Sequence, residues 1–226
     1  MPDILTNEFQ GQKFYFNNTP TAQVLVNEIF SDNYEIFKNK LEFSPGDVIL
    51  DMGACEGMFS IMLAKLFPKA RVIAFEPVPQ TYFLMLKNIG LNGTVNIETY
   101  NIGLGKKGQK TAEIYISKDL SNTGGSSSLF TFNPESHIKE TVGVISLDDV
   151  FDLYGIDRCH LLKMDIEGSE YDVLYGSSVL PRVDFATMEI HINHRLEFQS
   201  RRPDALAVWV AHQTKLLHVD FCRMAE

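Results

Sequence analysis

Two carboxylates and two glycines in one short stretch are the first residues of this chain that could hold a ligand. Asp51, Gly53 and Gly57 form the pattern D-x-G-x-x-x-G, and Glu76 follows 19 positions after Gly57. Val48-Ile49-Leu50 ahead of Asp51 reads as a buried strand, Met58 to Phe67 as a helix ended by Pro68, and Arg71 to Phe75 as a second strand. Strand, glycine turn, helix and strand make the nucleotide-binding unit of open α/β sheets, whose ligands lie beyond the carboxyl ends of the strands. The spacing is not G-x-G-x-x-G, however. A pyrophosphate needs free backbone N–H groups and the positive end of a helix, and Glu56 inside the turn is expected to oppose phosphate. A ligand with a cationic head and a ribose is better matched. S-adenosylmethionine has an ammonium, a sulfonium and an adenosine, and no phosphate. The pattern predicts Asp51 at its amino-acid end, directly or through water, and Glu76 accepting from its ribose diol. Gly53, Ala54 and Gly57 would let the backbone approach closely, and Asn101 and Ile102 are candidates for the adenine pocket.

A second group, Asp165, Glu167, Glu189 and His191, stands at the ends of two later strands. These are expected to converge on the rim where an acceptor would sit. His191 or Asp165 could take the proton of an acceptor hydroxyl as general base. The same carboxylates and histidine suit Mg²⁺ or Mn²⁺, so a divalent metal stays open as a cofactor. The plain alternative is that Glu167 and Glu170 favour a helix N-terminus while Glu189 pairs with Lys163. His194 reads as a surface residue. No H-E-x-x-H, nucleophile elbow, P-loop or paired-cysteine motif occurs.

These residues need elements to carry them. Residues 1 to 19 read as a polar lead-in with one short strand, Lys13 to Phe16; Pro20 opens an amphipathic helix to Phe30, and Asn33 to Lys40 reads as a second short helix. Gln80 to Gly90 reads as a helix with Phe83, Leu84, Leu86 and Ile89 inward and Gly90 as its cap. Val95 to Tyr100 is the third strand, and Thr111 to Ile116 an edge strand that Thr141 to Ile145 could join. Ser117 to Pro134 is a surface loop, and Ser146 caps a helix to Tyr154. Leu161 to Asp165 and Val183 to Ile190 are the fourth and fifth strands, with a helix from Glu170 to Ser178 between them. Arg202 to Lys215 is the last helix, where Trp209 reads as core, and Leu216 to Phe221 the last strand. The alternation implies an α/β, doubly wound, mostly parallel sheet. Residues 1–45 read as a cap segment and 46–226 as the catalytic domain of one globular unit.

Several of these stretches resemble a known family. Val48-Ile49-Leu50-Asp51-Met52-Gly53-Ala54 with Gly57, Ala74-Phe75-Glu76-Pro77, and above all Leu162-Lys163-Met164-Asp165-Ile166-Glu167-Gly168-Ser169-Glu170 are similar to the FkbM family of S-adenosylmethionine-dependent methyltransferases. Glu189-Ile190-His191 resembles the acidic residue and histidine that end that family's fifth strand. The resemblance implies a Rossmann-like sheet of the class I methyltransferase type and O-methylation of a small metabolite, sugar or natural product. Two departures stand out. Cys55 replaces the asparagine common after the Gly-Ala pair, and only one strand follows residue 215 where the class I sheet ends in an antiparallel hairpin.

Bulk properties agree with such an enzyme. The 226 residues carry a net charge of −9, which disfavours nucleic acid and anionic membrane surfaces; Arg195, Arg201 and Arg202 are the exception that could form a basic patch. No apolar run reaches the ~20 residues of a membrane span, and the N-terminus has no signal-peptide pattern. Three cysteines without CxxC spacing point to a reducing compartment, hence a cytoplasmic protein. A homo-oligomer is compatible with all of this. The alternatives are a nicotinamide-dependent oxidoreductase, from the shared sheet and Glu76, and a non-catalytic cofactor-binding module.

Overall fold

The computed structural model describes residues 3–30, 41–118, 135–193, 196–197 and 199–223. The short helix expected over Asn33 to Lys40, most of the loop to Pro134, and the expected surface position of His194 lie outside them.

A six-stranded sheet forms the centre: β3 (Val48–Met52), β4 (Arg71–Phe75), β5 (Ile97–Tyr100), β9 (Cys159–Met164), β10 (Val183–Ile192) and β11 (Leu216–Arg223). All its neighbours pair in parallel, in the spatial order β11-β10-β9-β3-β4-β5. Counted along the chain, that is the order 3-2-1-4-5-6 of doubly wound dinucleotide-binding sheets. The last strand is therefore a parallel edge strand, and no antiparallel hairpin closes the sheet among the described residues. β3 is buried at every position, as a strand covered on both faces must be. Its pleat sends Leu50 and Met52 into one core with Ile73 and Phe75, and Ile49 into the other with Val72 and Leu161.

Helices α2 (Met58–Leu66), α3 (Pro79–Asn92), α4 (Leu147–Leu153), α5 (Glu170–Leu174) and α6 (Pro203–Ala211) make the crossovers. Ser146 caps α4 as expected, accepting from the Asp149 N–H at 3.2 Å. Trp209 on α6 packs partly buried against the core, its ring 5.3 Å from Tyr175. The inward face of α3 is not the one its apolar residues suggested. Thr81, Met85 and Asn88 are buried, Phe83 and Leu86 are exposed, and the cap is Gly93 in the left-handed region. Asn88 is drawn in by hydrogen bonding: its amide donates to the Glu56 carbonyl, and its Oδ1 accepts from the N–H of Asn17.

The N-terminal segment is richer than a lead-in with one strand. β1 (Ile4–Phe9) and β2 (Gln12–Asn17) form an antiparallel hairpin, turned by Gln10 and Gly11 at φ of 48° and 73°. Helix α1 (Pro20–Ile29), capped by Thr19, follows it. Phe14 and Phe16 are fully buried with α1 and α2 residues. A smaller sheet, β6 (Gly103–Leu104), β8 (His137–Ile145) and β7 (Thr111–Ser117), stands beside the rim. The expected pairing occurs, with Thr111 opposite Gly143, and runs on to Ser117 opposite His137.

One close approach depends on a missing side chain. Gly53 leaves β3 at φ 79°, and a Cβ there would lie 1.8 Å from the Asp165 carbonyl oxygen. Gly46 has φ 87° but open space around it. Gly46→Ala should cost about 1–2 kcal/mol from left-handed strain alone. Gly53→Ala should cost at least about 1 kcal/mol more, since the two strand ends must separate. Urea-unfolding midpoints of both variants check this, and equal losses would contradict the packing.

Candidate active site

The crevice opens between β3 and β9. From β3 the chain winds towards β5, and from β9 it winds the other way towards β11, so the connections diverge there. Lys163 on β9 bridges this divide. Its Nζ donates to the Gly53 carbonyl at 2.8 Å and stands 3.7 Å from Asp51 Oδ1 and 3.5 Å from Asp165 Oδ2. Asp51 is fully buried and its Oδ2 accepts from Ser60 Oγ at 2.6 Å. Burial raises its pKa, against the pull of Lys163 and Ser60. Asp51 therefore does not line the cavity and lies behind the rim, where it supports Lys163 and the turn.

Glu76 closes β4 and faces the turn. Its Oε2 accepts from the Cys55 N–H at 3.0 Å and its Oε1 from the Val78 N–H at 2.8 Å. Burial pushes its carboxyl up to about 7, although both N–H bonds and Lys163 favour the charge. The other turn amides are engaged inside the protein as well. Those of Gly53 and Ala54 donate to the Phe75 carbonyl at 3.0 and 2.9 Å, and that of Gly57 to the Ala54 carbonyl at 2.8 Å. Glu56 turns away from the rim. It is fully buried, and both its carboxylate oxygens accept from Thr19 Oγ1, at 2.8 and 2.9 Å. The expected opposition of Glu56 to a phosphate is thus not what the geometry offers; the engaged amides are.

A cavity of about 570 Å³ lies over this rim. Gly53, Ala54, Cys55, Glu76, Pro77 and Val78 form one end, and Lys163, Asp165, Glu167 and Glu189 another. Its walls are α1, through Val24, Leu25 and Ile29, and the small sheet, through Ile114, Val142 and Val144. Among the expected adenine contacts, Asn101 instead donates to the carbonyls of Glu76 and Pro77, and Ile102 packs against the core. Gly103 and Leu104 reach the cavity in their place. Gly57 also stays off the wall, and its αL backbone, at φ 83°, fits against Met85.

The second group converges. Glu189 and His191 lie two apart on β10 and so share a face. His191 is buried, with Nδ1 2.9 Å from Glu170 Oε1. Its Nε2 stands 3.6 Å from Glu167 Oε2 and 3.9 Å from both Asp165 Oδ1 and Glu189 Oε2. Burial works against a charge on His191. The bond to Glu170 and the charges of Glu170, Glu167 and Asp165 outweigh it and push the imidazole up to about 9. The imidazole is thus held between Glu170 on one side and the carboxylates of Asp165, Glu167 and Glu189 on the other. Burial pushes Glu167 up to about 8 and raises Glu189, whose Oε2 also accepts from the Cys222 thiol at 3.1 Å.

Lys163 and Glu170 carry more of this site than the sequence suggested. Lys163 was legible in principle, two residues before Asp165 on one strand face; nothing in the sequence ties Glu170 to a histidine 21 positions on. Of the expected basic patch, Arg201 pairs with Asp172 and Arg202 with Asp204, each at 2.6 Å, and Arg195 lies outside the described residues. Among the described residues no helix is long and apolar enough to cross a membrane.

The Methyltransferase FkbM domain model matches residues 51–217. Over 84% of its length the chain is 28% identical to the AMB antimetabolite synthetase AmbE of Pseudomonas aeruginosa, of which it spans 10%. It is also 28% identical to methyltransferase sdnD of Sordaria araneosa, over 77% of this chain and 75% of that one. The same identity, over 77% and 76%, holds for the 31-O-demethyl-FK506 methyltransferase FkbM of Streptomyces tacrolimicus.

Glu76 makes stability depend on pH. Its folded pKa, about 7, lies above the ordinary 4.5, so the native state holds the extra proton between those values. Stability of the ligand-free protein should therefore fall as pH rises from about 4.5 to 7. Glu76→Gln should flatten that fall, as read from thermal midpoints across the range. An unchanged slope would place the carboxyl in an ordinary environment.

Proposed function

The chain belongs to the FkbM methyltransferase family, and from that membership we infer that it moves the methyl group of S-adenosylmethionine to a hydroxyl oxygen of a small-molecule or glycosidic acceptor. One observation carries the choice of ligand. The amides of Gly53, Ala54, Cys55 and Gly57 are all engaged within the protein, so the turn offers a pyrophosphate none of them. What it offers is a buried carboxylate, Glu76, and a rim rich in further carboxylates, which suits a ribose and a cationic centre. The cavity is of the size that holds drug-sized ligands.

S-adenosylmethionine supplies an activated methyl group on a positively charged sulfur. Glu76 would hold the ribose, and Gly53 and Ala54 would admit the amino-acid end beside the Lys163-supported turn. Asp165, Glu167 and Glu189 face the acceptor. As the acceptor oxygen bonds to the methyl carbon, the carbon–sulfur bond breaks and its electron pair stays on sulfur. The hydroxyl proton passes to a carboxylate, for which Glu189 is placed on the wall and raised towards neutrality. Alignment of this kind supplies about 7–11 kcal/mol in favourable cases. Oxygen as the acceptor atom draws support from the Streptomyces relative, which is a 31-O-demethyl-FK506 methyltransferase. The walls from α1 and the small sheet are mostly apolar, which favours an acceptor with a hydrophobic body. Residues 1–45 would thereby act as a cap on the same unit as the catalytic domain.

The sheet's strand order is also that of dinucleotide-binding folds, so the nicotinamide alternative forms the other arm of the test. Calorimetry should give saturable S-adenosylmethionine binding and none for NAD. Glu76→Ala should weaken the former by about 1–3 kcal/mol, since buried ribose hydroxyls lose a charged acceptor. Tight NAD binding without S-adenosylmethionine binding would overturn the reading.

A further inference from the structure

On the acceptor side, hydrogen bonding leaves several inward-facing atoms unused. His191 is buried and fixed through Nδ1 to Glu170. Its Nε2 points the other way and makes no hydrogen bond to the described residues. Asp165 Oδ1 is likewise buried with no hydrogen-bond partner among them. Around Nε2 stand oxygens of Glu167, Asp165 and Glu189, at 3.6, 3.9 and 3.9 Å. Such separations are too long for hydrogen bonds. They are the separations expected of atoms that share an ion, because bonds of roughly 2.1 Å to one centre leave ligand atoms roughly 3–4 Å apart.

We propose that Asp165, Glu167 and His191 Nε2, with Glu189 alongside, form a site for a divalent cation, Mn²⁺ or Mg²⁺, with its outer face open to the methyl acceptor. The donor set favours a hard ion, being mainly carboxylate with one imidazole. Charge favours it too. Asp51, Asp165, Glu167, Glu170 and Glu189 gather around Lys163 and His191, and a dication would offset the excess of negative charge. Glu170 is then a positioning residue. A carboxylate that holds the second ring nitrogen fixes the tautomer and aims the first at the metal, which takes the place of the Nε2 proton, so that binding releases that proton. The three carboxylates line the cavity while His191 stands behind them, so an ion held there has a free side towards the acceptor. A hydroxyl bound to it would lose its proton more readily. That last role rests on the methyl-transfer reading; the cation site does not. Cys222, Glu189 and His191 make a second, softer set that would take zinc instead.

Mn²⁺ alone, titrated into the full chain and followed by electron paramagnetic resonance, tests the site without methyl donor or acceptor. One saturable ion per chain is expected. Asp165→Asn and His191→Gln should each weaken it at least about tenfold, and Glu170→Gln by about tenfold through the loss of orientation. Asp204→Asn, on an exposed pair outside the cluster, should leave it unchanged. Circular dichroism checks that each variant is folded. Should the variants unfold, anomalous scattering from wild-type crystals soaked in Mn²⁺ decides, with a peak expected between Asp165, Glu167 and His191. No saturable binding to the wild type, unchanged affinity in folded variants, or a peak on the Cys222 side would overturn the proposal. S-adenosylmethionine binding is measured separately, so failure of the cation site leaves methyl transfer standing, and the reverse also holds.

Discussion

The site depends on one partly buried cation, the ammonium of Lys163, held between two strand ends that have no covalent reason to stay together. β3 and β9 are far apart in the chain and adjacent in the sheet. Backbone bonding pins their tips, with the Asp165 N–H donating to the Met52 carbonyl at 3.0 Å. Lys163 then ties the glycine turn to β9 through the Gly53 carbonyl, between the carboxylates of Asp51 and Asp165. An unpaired charge in such surroundings would be costly, and so would either carboxylate without it. Ordering the turn therefore also orders the acceptor side, because Asp165 belongs to both.

Around that tie the protein divides its carboxylates by environment. Asp51 and Glu56 are buried away from the cavity, held by Ser60 and Lys163 in one case and by Thr19 in the other. Glu56 fastens the turn to the N-terminal segment, since Thr19 also caps α1, a wall of the cavity. Glu76, Asp165, Glu167 and Glu189 face the cavity, where burial raises Glu76, Glu167 and Glu189 above the ordinary carboxylate range. A rim of carboxyl groups is poorly matched to a phosphate, whose oxygens need donors. The turn beside it engages the amides of Gly53, Ala54, Cys55 and Gly57 within the protein.

The central strands were legible because a strand buried on both faces is written as an unbroken apolar run, and Gly53 and Gly57 mark turns that few other residues tolerate. Glu76 was legible by its place at a strand end. What escaped notice was set by long-range polar bonds. Asn88 turns α3 onto a face that its apolar residues do not predict, and Thr19 draws Glu56 out of the site. The hairpin escaped because Ile4 to Phe9 alternates weakly, although the left-handed Gln10-Gly11 pair is a known hairpin turn. The four acceptor-side residues were brought together as their strand positions required. The bond from His191 to Glu170 was not legible, because no spacing ties residues 21 apart.

The proposed hold of Glu76 and the Lys163-supported turn on an adenosyl group, above adjoining strand tips, stands or falls on their contacts. A crystal structure of the chain with S-adenosylhomocysteine tests it most directly. Both ribose hydroxyls are expected within hydrogen-bond distance of Glu76, with the amino-acid end over Gly53 and Ala54. An adenosine bound elsewhere, or bound in this cavity with Glu76 still confined to the amides of Cys55 and Val78 and out of reach of the ribose, would contradict it.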